Sequence, residues 1–139
     1  MSIIGGTCVA GKLAMVTGRC QPTDKYYIAL YAPGAKLDMF TQAYTPEGEV
    51  RGKGYAAGGL PLGDYVADVD GDVVCINWDA DPTWNNATIK AAGALIYNRS
   101  RGNVALAVIE FDEPVASTNG KWCFPMPRCN KHEAIIRFA

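Results

Sequence analysis

Histidine is almost absent from this chain: His132 is the only one among 139 residues. Nucleophilic and general-base catalysis most often needs an imidazole beside a nucleophile. No Gly-x-Ser-x-Gly elbow accompanies His132, and no Asp is placed by pattern to orient its ring. Net charge is equally scarce. Thirteen basic and 14 acidic side chains leave a formal −1, without the clustered basic surface that neutralises a phosphate backbone or is drawn to anionic lipid. Neither a direct nucleic-acid partner nor a membrane is therefore expected. No segment approaches the ~20 apolar residues of a membrane span. Met1 to Gly11 has no basic flank and no long apolar run, so a signal peptide is not expected. The five cysteines, Cys8, Cys20, Cys75, Cys123 and Cys129, are odd in number and widely spaced. They read as buried free thiols in a chain made in a reducing cytoplasm, not as a disulfide framework.

What is present is an ordinary globular balance, 49% hydrophobic and 19% charged, in one domain's length. Fifteen Gly and eight Pro fall mostly between apolar runs, as many turns would require. Short alternating pieces carry the period of half-buried strands. Val9, Gly11, Leu13 and Met15 alternate with Ala10, Lys12 and Ala14, which predicts a strand there. In Lys25 to Tyr31, Tyr26, Ile28 and Leu30 share one face and Tyr27, Ala29 and Tyr31 the other. Both faces are apolar, so the strand should lie inside a sandwich or beneath a partner. Asp70-Gly71 between Tyr65–Val69 and Asp72–Trp78 predicts a two-residue hairpin. Further strands are expected over Thr88–Tyr97, Val104–Phe111, Lys121–Phe124 and Ala134–Phe138, with 112–120 as a connecting loop. Leu37, Phe40 and Ala43 suggest a short helix near 35–43. The Gly-rich stretch Glu49 to Gly63 reads as a long surface loop around a short strand near Val50–Tyr55, and such loops are commonly binding elements.

The candidate chemistry is thin. Cys123, Cys129 and His132 have a five-residue spacer where structural zinc prefers two to four, and they lack a fourth ligand nearby. Asp64, Asp68, Asp70, Asp72, Asp79 and Asp81 form an acidic run. Counted from Asp68, the sixth and twelfth places of a calcium loop hold Val73 and Asp79 instead of Gly and Glu. The run reads as a solvated rim, and a glycosidase pair within it would be nonspecific. Gly52 to Gly63 lacks the Lys-Ser/Thr of a phosphate loop. The sequons at Asn86 and Asn98 carry weight only on a secretory route. Trp78, Trp84 and Trp122 could stack on sugars, but aromatics in strands more often fill a core. Trp84, in a turn-like setting, could be a lid on that core or an interface anchor. No catalytic residue, metal or cofactor is expected, and the chain reads as a non-enzyme.

Four runs carry a family resemblance: EVRGKGYAAGGLPL (Glu49 to Leu62), DADPTWNNATIKAAGALIYN (Asp79 to Asn98), NVALAVIEFDEPVASTNGKWCFPMP (Asn103 to Pro127) and AIIRFA (Ala134 to Ala139). They resemble a family of small tailed-phage virion proteins, with marks in the same order from about Tyr26 to the last residue. These are a Gly-Tyr-x-x-Gly-Gly loop, a Trp before a strand, a Gly-Ala-Leu-Ile-Tyr-Asn strand, a loop ending in Asn-Gly and a final apolar strand. The turn Cys129-Asn130-Lys131-His132 and the Cys-rich N-terminal strand depart from the family pattern. The resemblance implies a capsid decoration or cement protein of the virion, assembled in the host bacterial cytoplasm. Its partners would be the major capsid protein and further copies of itself, as dimer or trimer. A tail or head–tail junction component is the alternative, and a carbohydrate-binding module using Trp84, Trp78 or Tyr55 is a rival from another class.

The expected architecture is all-β: an antiparallel β-sandwich or jelly roll of about eight strands. A flexible arm over 1–6 would precede a single domain over 7–139. Ile3, Ile4, Tyr27, Tyr31, Tyr55, Leu60 and Trp84 are the expected interface residues.

Overall fold

The computed structural model describes residues 3–138. In chain order its elements are β1 (Ile3–Thr7), α1 (Val9–Val16), β2 (Tyr26–Tyr31), β3 (Leu60–Pro61), β4 (Tyr65–Asp70), β5 (Val73–Trp78), β6 (Thr83–Asn98), β7 (Val104–Cys123) and β8 (Ile136–Phe138). The strands form two antiparallel sheets, ordered β1-β7-β6-β2-β3 and β4-β5-β8. The fold is all-β and sandwich-like, with eight strands among the described residues.

The predicted hairpin forms, with its two-residue turn one position later than Asp70-Gly71: Val69 lies opposite Val74 and Asp70 opposite Val73, so Gly71 and Asp72 make the turn. Gly71 takes φ +65° and Asp72 is not among the positive-φ residues, the pattern of a type II′ turn with Gly first. β2 has two covered faces, as its composition demands. Ile28 and Leu30 join Ile76, Trp78, Ile96, Leu106, Phe124 and Ile136 in the core between the sheets. Ala29 and Tyr31 point the other way, with Leu95, Tyr97 and Ala105, and are covered by Cys8, Ala35, Leu37 and Tyr44. The second layer is therefore the chain's own 35–44 segment.

Several expectations are corrected. Val9 to Met15 is helical, not extended. The buried positions are Gly11 and Ala14, three apart, so helical period wins over an alternation that both readings share. A Schellman turn ends the helix: Arg19 N–H donates to Ala14 O at 2.8 Å and Gly18 N–H to Met15 O at 3.2 Å, with Gly18 at φ +74°. The 35–43 segment is irregular instead of helical. The Asp38 carboxylate accepts from Phe40 N–H at 2.8 Å, and Thr41 Oγ1 accepts from Asp38 N–H at 3.0 Å. Such local side-chain bonds compete with helix formation.

Residues 112–120 are not a loop but part of β7, which bulges between Ala91↔Val115 and Gly93↔Glu110. Pro114 sits in that bulge, where a missing N–H is tolerated. No strand forms over 50–55; the sheet edge is made by Leu60–Pro61 instead. Within the stretch expected as an arm, residues 3–6 pair with Phe111–Val108 of β7, and the strand continues through Thr7.

Candidate functional site

Of the residues expected at an interface, Tyr31 and Trp84 are corrected outright. They are 1% and 3% exposed, and the chain buries them itself. Tyr31 donates its hydroxyl to Thr45 O at 2.7 Å. Trp84 stacks on Tyr55 with centroids 5.9 Å apart and meets the edge of Trp122 at 5.6 Å. Trp78 is buried against Tyr26 and Tyr65, so neither indole presents a stacking face for a sugar. Tyr27 and Leu60 are half-buried. The Arg99 guanidinium lies 4.7 Å above the Tyr27 ring, an exposed cation–π contact. The side chains of Ile3 and Ile4 lie outside the described residues.

Tyr55 has a structural task within the chain. Glu49, only 7% exposed, accepts from Tyr44 OH at 2.6 Å, from Tyr55 OH at 2.5 Å and from Gly58 N–H at 2.8 Å. Tyr55 Oη also accepts from Leu30 N–H at 2.9 Å, and Tyr97 OH donates to Gly58 O at 2.7 Å. A buried carboxylate is tolerated when its lone pairs are this fully used. Burial, then the hydrogen bond to Glu49, pushes the phenols of Tyr44 and Tyr55 well above the usual range, so both stay protonated and donate. The Gly-rich loop is thereby fixed onto β2. Gly59 lies so close to the strand that a Cβ there would stand 1.8 Å from Ile28 O, at φ +80°.

The acidic run does not converge on a cation. Asp70 accepts from Lys131 N–H, Asp81 from Met126 N–H, Asp79 from Ala80 N–H and Asp68 from Val69 N–H, all at 2.8–3.0 Å. Asp70 and Asp81 tie the 126–131 segment to β4 and to the approach to β6, while Asp68 and Asp79 bond the next residue's N–H. Among the described residues no three His, Cys, Asp or Glu side chains are grouped to hold a metal ion, the Cys123, Cys129 and His132 set included. All five cysteines are free, but only Cys8 and Cys75 are fully buried. Burial, helped by the nearby Asp38 carboxylate, pushes the Cys8 thiol up to about 11.

The surface that stands out was not foreseen. α1 turns Gly11 and Ala14 inward and presents Leu13 and Val16 to solvent, 63% and 75% exposed. Val9 joins them at the i, i+4, i+7 spacing of one helical stripe. Val9 N–H donates to Met39 O at 2.8 Å, which brings the exposed Met39 and Phe40 alongside. Between helix and loop opens a groove of about 670 Å³ lined by Leu13, Ala14, Phe40, Val104, Arg19 and Arg101 among others. Arg101 Nε bonds Asp24 at 3.1 Å. Burial alone would raise the Asp24 carboxyl, but hydrogen bonds from Asn98, Gln21 N–H and Arg101 outweigh it and hold the group below its ordinary value. Arg19 makes no ion pair among the described residues. The signals for this site were the 9, 13, 16 spacing and Gly18 as a helix stop.

No family model, no curated protein and no solved structure matches the chain.

Proposed function

We propose that the chain is a non-enzymatic structural subunit of a tailed-phage particle, in the role of a capsid decoration or cement protein that binds and stabilises the major capsid protein shell. One observation carries the assembly part of this reading: α1 packs its small residues inward and turns its large apolar ones outward. A helix apolar on both sides is normally buried, and clustered exposed apolar side chains mark interaction sites. Covering Leu13 or Phe40 would contribute about 1.5–3 kcal/mol each. β1 supports the same reading. It ends the five-stranded sheet, and its Ile-Ile-Gly-Gly-Thr sequence holds no charge or proline to blunt that edge. The phage assignment rests on the resemblance carried by the Gly54 to Gly59 loop and the Gly93 to Asn98 strand.

Mass spectrometry of purified particles tests this function. A decoration protein is recovered at a copy number commensurate with the major capsid protein. A copy number of a few or a dozen would move the chain to the tail or head–tail junction, and its absence from particles would end the proposal.

A further inference from the structure

The small sheet β4-β5-β8 has a second face, turned away from the core. Ile76 and Trp78 of β5 point into the core, so Val73, Cys75 and Asn77 alternate onto the other side. Directly opposite residues share a face, which places Asp68 and Asp70 of β4 and Arg137 of β8 there too. Yet on this outward face Cys75 is 0% exposed, so something covers it.

The cover is the chain's own 127–133 segment, and the bonds that hold this strap down frame Cys75. At one end the Asn77 amide donates to Pro127 O at 2.7 Å and accepts from Ile135 N–H at 2.8 Å. At the other, Asp70 accepts from Lys131 N–H at 2.9 Å, and Asp70 lies opposite Val73. Arg137, the β8 neighbour of Cys75, donates to His132 O at 2.8 Å and to Lys131 O at 3.3 Å. The strap therefore runs from Asn77 to the level of Val73. Cys75 is midway along that piece of strand, and Cys129 is midway between Pro127 and Lys131. Asn130 N–H donates to Arg128 O at 3.0 Å, which puts Cys129 at the centre of a tight three-residue turn. Between strap and sheet lies a cleft of about 270 Å³, with Val66, Asn77 and Cys129 among its lining. Burial raises the Cys129 thiol, and so do Cys75 and Asp68, the cross-strand pair beneath it.

We propose that Cys75 and Cys129 are a redox pair, joined as a disulfide by a low-molecular-weight disulfide oxidant, so that oxidation staples the 127–133 strap to β5. Both are free thiols, Cys75 buried and Cys129 partly exposed, and that difference sets the order of events. The Cys129 thiolate attacks the oxidant, breaks its S–S bond and releases one small thiol, leaving a mixed disulfide on Cys129. The Cys75 thiolate then attacks Cys129 Sγ, forms the internal bond and expels the second small thiol. Two protein thiols are oxidised, one small disulfide is reduced to two thiols, and the two protons end on those thiols. An alkylating reagent has no second sulfur to hand on, so it stops at Cys129 and leaves Cys75 untouched. In a reducing compartment the pair stays as thiols, and hydrogen bonds alone hold the strap. The bond closes a long loop between strand and strap, which restricts the unfolded chain and stabilises the fold.

Oxidised glutathione on the folded full chain tests it, followed by digestion without reductant. Mass spectrometry should find the Cys75 and Cys129 peptides joined, lighter by two hydrogens than their sum. The urea midpoint should rise, and dithiothreitol should return it. Cys129→Ser should abolish both the link and the shift, whereas Cys123→Ser should keep them. Should Cys129→Ser fail to fold, the peptide map of wild type decides alone. Cys75 still free at the end of the reaction, Cys129 joined to another cysteine, a link that forms only in urea, or a link that leaves the midpoint unchanged overturns the proposal. None of these results bears on particle incorporation, so this inference and the reading of the chain as a virion subunit fail separately.

Discussion

Gly11 of α1 lies against the backbone of Leu106 in β7 so closely that a Cβ at Gly11 would stand 2.7 Å from the Leu106 Cα. That approach seats the helix and so fixes where Val9, Leu13 and Val16 point. In an exposed helix Gly→Ala would stabilise by about 1 kcal/mol. Here Gly11→Ala should instead destabilise by about 1–3 kcal/mol through overpacking, measured by urea unfolding. Unchanged or raised stability would mean that the helix is not seated on β7.

The carboxylate of Glu49 holds the Gly-rich loop to β2. Glu49→Ala leaves Tyr44 OH, Tyr55 OH and Gly58 N–H without their acceptor, a loss of about 3 kcal/mol or more. Tyr55→Phe removes the bond donated to Glu49 and the one accepted from Leu30 N–H, costing about 2–4 kcal/mol. Amide exchange on 50–59 should quicken in both variants.

Acid should weaken the fold partly through Asp24. Its folded pKa is below the ordinary value, so its contribution is complete above the unfolded value of about 3.9 and is lost as pH falls through the lower folded one. Asp24→Asn should be less stable than wild type at neutral pH, and its stability should fall less between about pH 5 and about pH 2. Parallel acid profiles for the two proteins would contradict this.

Cys8 and Cys75 are 0% exposed. Burial raises both thiols, Cys8 to about 11. A thiol reagent at mildly alkaline pH should leave these two unmodified until the chain unfolds. Early modification of Cys8 would show that the 35–44 segment does not cover it.

Much of the fold was legible where local chemistry had one solution. Asp70-Gly71 admits few turns, and the two apolar faces of β2 require cover on both sides. α1 was hidden because apolar residues surround it, so its helical period was masked by an alternation running through Gly11. Asp38 disguised an irregular segment as a helix, since its side-chain bonds cannot be read from the spacing of Leu37 and Phe40. The turn formers Asp112 and Pro114 suggested a loop, whereas they occupy a bulge that a paired strand accommodates. Tyr31 and Trp84 illustrate the limit for sites: an aromatic ring in a strand suits a core and an interface alike, and only the covering segments decide. The patch on α1 is legible in the 9, 13, 16 spacing only for a helical segment.

The central proposal is that this chain is a subunit covered in an assembled particle. A density map of the intact virion, with the copy number of this chain, tests it directly. The account expects the chain on the shell in numbers matching the capsid lattice, with Leu13, Val16 and Phe40 buried against a neighbour. Particles without the chain, or with those side chains open to solvent in every copy, would contradict it.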